Sequence, residues 1–139
     1  MNDQKPLLTW KTEYSVGVEL IDFQHRQMFD IINELVGIIN AVPTQEAVTE
    51  LIEKIVSYKK VHYASEEDYF REFHYEGAEE HIAEHARFNE SLLQLKDKYP
   101  GDPISFCFEL VDFLENWLVT HIMDSDQKYV ACFHAHGLK

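Results

Sequence analysis

Seven side chains able to hold a metal recur along this chain at helical intervals: His25, His62, Glu66, His81, His85, His121 and Asp126. His62-x-x-x-Glu66 and His81-x-x-x-His85 are i, i+4 pairs, so both members of each project from one helix face about one turn apart. His121 and Asp126 are five apart. On a regular α-helix that spacing turns the second side chain away from the first, and for both to reach one point the helix must end, tighten or bulge between them. A lone histidine on an apolar stripe is ordinarily a core residue with its hydrogen bonds satisfied. Five imidazoles and two carboxylates in one core are different, because each costs on the order of a few kcal/mol to bury unpaired. A metal removes that cost, turning lone pairs into ligand bonds while the carboxylates offset the cationic charge. Imidazole and carboxylate without thiolate suit iron, zinc or manganese. Seven ligands exceed a four-coordinate zinc and point to two metals.

Two other motifs fit less well. His81-Ile82-Ala83-Glu84-His85 reads as the inverted zinc-peptidase signature H-x-x-E-H, with Glu84 as base. That reading leaves His25, His62 and His121 unexplained and has no predicted strand to hold an extended substrate. A ferritin-like di-iron site calls for Glu-x-x-His pairs on two helices, and no histidine here has Glu three residues before it.

The elements that must position these residues are four amphipathic helices. Val18, Ile21, His25, Met28, Ile32, Leu35 and Ile39 step by threes and fours, the period of a buried helix face. Val48, Leu51, Ile55, Tyr58, His62 and Glu66 form a second stripe, and His81, His85, Phe88, Leu92 and Leu95 a third. Ile104, Cys107, Val111, Leu114, Leu118 and His121 form the fourth, widened by Phe106, Leu110, Phe113 and Trp117. Thr44 and Asp102 are placed as N-caps, the latter followed by Pro103 at the first helical position. His74 to Gly77 break the second pattern, and Tyr99-Pro100-Gly101 the third. Nothing alternates by twos and the connections are short, so the fold class is all-α, an antiparallel up-down-up-down four-helix bundle. The expected organisation is one domain over 1–139, with an irregular arm at 1–17 offering Leu7, Leu8, Trp10 and Val16 for packing, the bundle at 18–131 and a tail at 132–139.

Twelve basic against twenty-five acidic residues leave a net charge of −13. That opposes binding to phosphate backbones or anionic lipid, so nucleic acid and membrane insertion are not expected. Cys107 on a core stripe and Cys132 in the tail are unmatched thiols, suiting a reducing compartment. With no basic segment leading into an apolar one, and apolar runs of only a few residues, the expectation is a soluble cytoplasmic protein.

The order H, HxxxE, HxxxH, HxxxxD, met at all seven positions, resembles the hemerythrin family and is most similar to its bacterial single-domain members. The likeness runs from Trp10 to about Tyr129 and includes the stretch from Tyr14 to His25. It implies a non-haem di-iron centre that binds dioxygen reversibly, with His81, His85 and His121 on one iron and His25 and His62 on the other. Glu66 and Asp126 would bridge the two together with an oxo or hydroxo group, leaving one position open on the two-histidine iron; no haem is implied. Tyr69-Phe70 and the tail depart from the family pattern. An apolar wall is expected around the open position, with Leu118 one turn before His121 as its first candidate and Trp117, Met28 and Phe29 as others. His74, His134 and His136 match no family ligand and are expected at the surface. The function implied is oxygen storage or delivery to an unidentified client, without catalysis. The alternatives are an oxygen or redox sensor acting through a partner, or a di-iron reductase of peroxide or nitric oxide.

Overall fold

The structure, a computed structural model, describes residues 8–98 and 101–139. Leu7 and the Tyr99-Pro100 punctuation lie outside them. Four long helices follow one another, α1 (Glu19–Asn40), α2 (Gln45–Glu72), α3 (Ala78–Lys98) and α4 (Pro103–Thr120), with no strand among the described residues. The chain then runs through a π-helical turn at His121–Ser125 and a 3-10 turn at Asp126–Tyr129 into a short α5 (Val130–Ala135). Each of α1 and α3 packs against both α2 and α4, the arrangement of the expected up-down-up-down bundle.

Local chemistry sets the helix ends. Thr44 Oγ1 accepts from the Ala47 amide at 3.1 Å, and Asp102 Oδ1 from the Ser105 amide at 3.1 Å, each satisfying a donor that the first turn leaves free. The start of α1 has no side-chain cap of that kind. Instead Asp22 reaches back to accept from Ser15 Oγ at 2.5 Å and from the Val16 amide at 2.8 Å, which anchors the arm. Gly17 makes the bend with φ +68°, and a Cβ there would stand 2.6 Å from the His134 imidazole, which bonds the Gly17 carbonyl at 3.0 Å. Glycine is required on both counts.

Two apolar clusters bracket the seven polar positions. Ile21, Phe70, Tyr129 and Phe133 belong to one, while Met28, Ile55, Phe88 and Leu118 belong to the other. On α1, on α2 and along the segment that continues α4, the polar residues fall between members of the two clusters, so the bundle carries a polar layer between apolar ones. The arm joins the larger cluster through Leu8, Tyr14 and Trp10, with Tyr14 edge-on to Phe29 at 5.3 Å. The fourth stripe differs from the sequence reading at Ile104, which is exposed, and Val111, which is half-buried. Phe106, Cys107, Leu110, Leu114 and Leu118 are the buried set, so the face that α4 buries is centred on Leu110 and Leu114 and leaves Ile104 and Val111 at its edge. Cys132 lies within α5, whose Phe133 is fully buried.

Candidate metal centre

All seven polar residues are buried and converge. Their ligand atoms form two groups, Glu66 with His81, His85 and His121, and His25 with His62, Glu66 and Asp126, and within each group the atoms lie within 4.8 Å of one another. Glu66 belongs to both. Its Oε1 is 3.1 Å from His85 Nε2, 3.5 Å from His62 Nε2 and 3.7 Å from His81 Nε2. Asp126 spans the layer with both oxygens: Oδ1 is 3.1 Å from the Nε2 atoms of His81 and His121, and Oδ2 is 3.0 Å from His25 Nε2. The π turn accounts for the five-residue spacing. Its extra residue per turn brings Asp126 back under His121, the bulge that the sequence required.

Whether a metal pair suits this layer is answered by hydrogen bonding. Short as these contacts are, the Nε2 atoms of His25, His81, His85 and His121, Glu66 Oε1 and both Asp126 oxygens have no hydrogen-bond partner. Buried polar atoms in such numbers ordinarily find partners. Here they face one another with lone pairs, which is what cations between them would use.

The outward nitrogens of His62 and His85 are held instead, while Nδ1 of His25 and of His121 has no hydrogen-bond partner. His62 Nδ1 lies 2.7 Å from Gln24 Oε1, and the direction of that bond follows from its neighbours. Ser65 Oγ donates to the Val61 carbonyl at 3.0 Å and so accepts from Gln24 Nε2 at 3.2 Å, which turns Gln24 Oε1 toward His62. Nδ1 therefore carries the proton and Nε2 presents its lone pair to the layer. His85 Nδ1 donates likewise to Glu67 Oε2 at 2.9 Å. Glu84, held by Ser125 Oγ at 2.7 Å, points an oxygen at His121 Nδ1 from 3.9 Å. Tyr129 donates to Glu66 Oε2 at 2.7 Å, leaving Oε1 to the histidines.

Electrostatics favour a neutral His62 and ionised carboxylates. Burial, with the neighbouring His25 and Lys59, outweighs the pull of the carboxylates and brings His62 down to about 3. Burial alone would raise Glu66 and Asp126. Their histidine neighbours reverse this and hold both below the usual carboxylate range. At His81 burial is overcome by the nearby Asp126 and Glu66 carboxylates, which raise it to about 10, so this imidazole holds a proton that a cation would displace.

The layer one turn deeper holds the residues that the sequence offers for a wall. Leu118, Met28 and Phe29 are buried and Trp117 is half-buried, its indole stacked on His121 at 4.3 Å. Tyr63 stacks on His85 at 3.6 Å. One member of this layer is not apolar: Lys59, three residues before His62, is only 2% exposed. Sequence periodicity does not single it out, nor Gln24, Glu67 or Tyr129, and Glu84 stands out in the sequence only as the base of the H-x-x-E-H motif. Glu67 and Glu84 each sit one residue from a ligand of a neighbouring pair. His74, His134 and His136 are exposed and belong to neither ligand group. Cys107 and Cys132 are both free. Among the described residues no helix is long and apolar enough to cross a membrane.

A family model of the hemerythrin HHE cation binding domain matches residues 16–133. The chain is 28% identical over 128 residues to a bacteriohemerythrin of Clostridium acetobutylicum, covering 89% of this chain and 99% of the relative. It is 31% identical over 131 residues to a bacteriohemerythrin of Stenotrophomonas maltophilia, covering 94% and 84%. A crystal structure of a hemerythrin point mutant, tyrosine for leucine, aligns with a TM-score of 0.79 at 26% identity, covering 92% of this chain and 98% of that one.

Proposed function

The chain belongs to the hemerythrin family, and from that membership and the converging side chains we propose that it binds dioxygen reversibly at a pair of non-haem irons, for oxygen storage or delivery. His81, His85 and His121 would hold one iron and His25 and His62 the other, with Glu66 and Asp126 shared between them. The observation that carries this reading is the unequal sharing of imidazoles, three in one group and two in the other, with Glu66 common to both. With Asp126 also reaching His81 and His121, the two-imidazole position would have fewer protein ligands than the three-imidazole one. A ferrous pair bound there would supply two electrons to dioxygen, one from each iron.

The remaining roles belong to the protein. Gln24 and Glu67 fix the tautomers of His62 and His85, so that neutral nitrogen ligands face the layer without rearrangement. Tyr129 takes one oxygen of Glu66 and thereby limits how that carboxylate can be shared. Leu118, with Met28 and Phe29, would form an apolar floor that keeps water and protons from the open position. Five neutral imidazoles against two carboxylates provide little anionic charge to support the high-valent iron of a hydroxylase, which favours carriage over catalysis.

Iron analysis with an optical oxygenation cycle tests the proposal. Two irons per chain, no haem and an absorption band that comes and goes with oxygen are expected. One tightly bound zinc that iron cannot replace would exclude it.

A further inference from the structure

Glu84, the acid of the H-x-x-E-H motif, stands beside the ligand layer without bonding a ligand. Ser125 Oγ, in the π turn, donates to its Oε1 at 2.7 Å, and the same oxygen is 3.9 Å from His121 Nδ1. That gap is too wide for a hydrogen bond, so Glu84 does not set a tautomer as Glu67 does for His85 at 2.9 Å. His121 is only 4% exposed and its Nδ1 has no partner. A divalent cation bonds nitrogen and carboxylate oxygen at about 2.0–2.2 Å, so one ion between the two atoms would span the 3.9 Å.

Position gives this pair of atoms its meaning. The layer lies between two apolar clusters, so a cation reaches it between helices rather than along the bundle axis. Between α1 and α2 the layer is spanned by Gln24 and Ser65, joined at 3.2 Å. Where α1 faces the π turn the arm packs against that turn, its Ser15 and Gly17 carbonyls accepting from Gln127 and His134. A groove of about 550 Å³ between α2 and α3 reaches His85, but apolar Val56, Leu92 and Leu93 and the cationic Lys60 line it, and Glu67 already occupies Nδ1. The seam between α3 and α4 differs in charge. A groove of about 440 Å³ there is lined by His121, Glu84, Ser125 and Asp124, beside Phe113 and Trp117. Asp124 is exposed, and its 3.8 Å pairing with Lys128 is open to solvent and screened. The net charge of −13 draws cations to the surface as a whole.

We infer that the groove between α3 and α4 is the port through which the metal layer is filled, Glu84 taking a divalent cation from solvent and passing it to His121. The port rests on the di-iron reading given above. It is a station on the way rather than a third resident site, because it offers one carboxylate and one imidazole nitrogen, and an ion held there keeps most of its water. Moving inward, the ion exchanges that water for the imidazoles and shared carboxylates of the layer. Glu84 acts on the path and not on the bound state, so it changes the rates of filling and emptying by one factor and leaves their ratio alone.

The test follows cobalt(II), a divalent ion that imidazole and carboxylate hold much as they hold ferrous iron and that needs no reductant. Uptake by the metal-free full-length chain, and release from the loaded chain to excess chelator, are timed by absorption in the parent, Glu84→Gln and Glu53→Gln. Cobalt per chain is counted at saturation. Gln at position 84 keeps an acceptor for Ser125 without the charge, and Glu53→Gln removes the same charge from an exposed position well before His62 on α2. Uptake and release are both expected to slow at least about five-fold in Glu84→Gln at unchanged occupancy, and to stay within about two-fold of the parent in Glu53→Gln. No slowing, or equal slowing in the two variants, would overturn the port. Faster release with lower occupancy in Glu84→Gln would make Glu84 a support for His121 and overturn it as well. A parent that saturates with fewer than two ions would overturn the paired-metal reading, and the count reports that apart from the rate ratio.

Discussion

His121 and Asp126 stand five residues apart in sequence and 3.1 Å apart in space, Nε2 to Oδ1, joined by one π-helical turn. The turn closes a five-residue step that a regular helix would leave facing apart. Inserting an alanine beside the exposed Met123 would widen the step to six residues and carry Asp126 off the layer. Iron content is expected to fall below about one per chain, because Asp126 serves both metal positions. Full iron content in the insertion protein would mean that the turn is not what positions Asp126.

Removing the metals should loosen the whole bundle, since the polar layer lies between its two apolar clusters. Ligand linkage is worth about 4 kcal/mol at a thousandfold excess over Kd, which for a domain of this size corresponds to about 10 °C or more in melting temperature. Calorimetric melts of the apo and iron-loaded protein measure the difference. Equal melting temperatures would place the metal outside the core.

Much of this centre is readable from the sequence because metal ligands interrupt apolar stripes: His25 stands between Ile21 and Met28, where an aliphatic residue is expected. The five-residue step from His121 to Asp126 likewise requires a departure from α geometry on spacing alone. Thr44 and Asp102 are legible for a similar reason, since a cap acts on its own next few residues. The supporting groups are not legible. Gln24, Glu67 and Glu84 look like ordinary polar residues on helices full of them, and their roles depend on which helix lies alongside. Lys59 reads as part of a solvated Tyr58-Lys59-Lys60 run, and only the packing of α3 and α4 against α2 turns it inward. Ile104 errs in the opposite direction, an apolar residue in register with a stripe that ends before reaching it.

Leu118 is the strongest candidate for guarding the open position, and two substitutions separate its packing from its guarding. Leu118→Ala should cost about 2–5 kcal/mol through the cavity it leaves and should also admit water, speeding loss of the oxygenated form. Leu118→Met nearly conserves volume, should cost less than about 1.5 kcal/mol, and should autoxidise close to the parent rate. Stopped-flow absorption gives the rates. If Leu118→Ala autoxidises no faster than the parent, the wall lies elsewhere.

Lys59 gives a pH signature in the apo protein. Burial lowers it from its usual value to about 7 against the opposing pull of Asp126 and Glu66. Below pH 7 it is charged in both folded and unfolded chains and the folded state bears the whole desolvation cost. Between about 7 and 10 the unfolded chain binds a proton that the folded chain has released, so folding stability gains with rising pH. Lys59→Met lacks this gain. Its stability advantage over the parent should be constant below pH 7 and shrink by up to a few kcal/mol toward pH 10, as read from paired denaturant melts. An advantage that does not change with pH would place the amine in solvent.

The central claim is that two irons held by these seven residues bind dioxygen and give it back. The direct measurement is absorption of the iron-loaded protein through repeated cycles of anaerobic reduction, exposure to oxygen and removal of oxygen. A band that appears with oxygen, disappears when oxygen is withdrawn and returns undiminished over several cycles is the predicted result. Irreversible conversion to the ferric protein at the first exposure, or no optical response from protein that holds two irons, would contradict it.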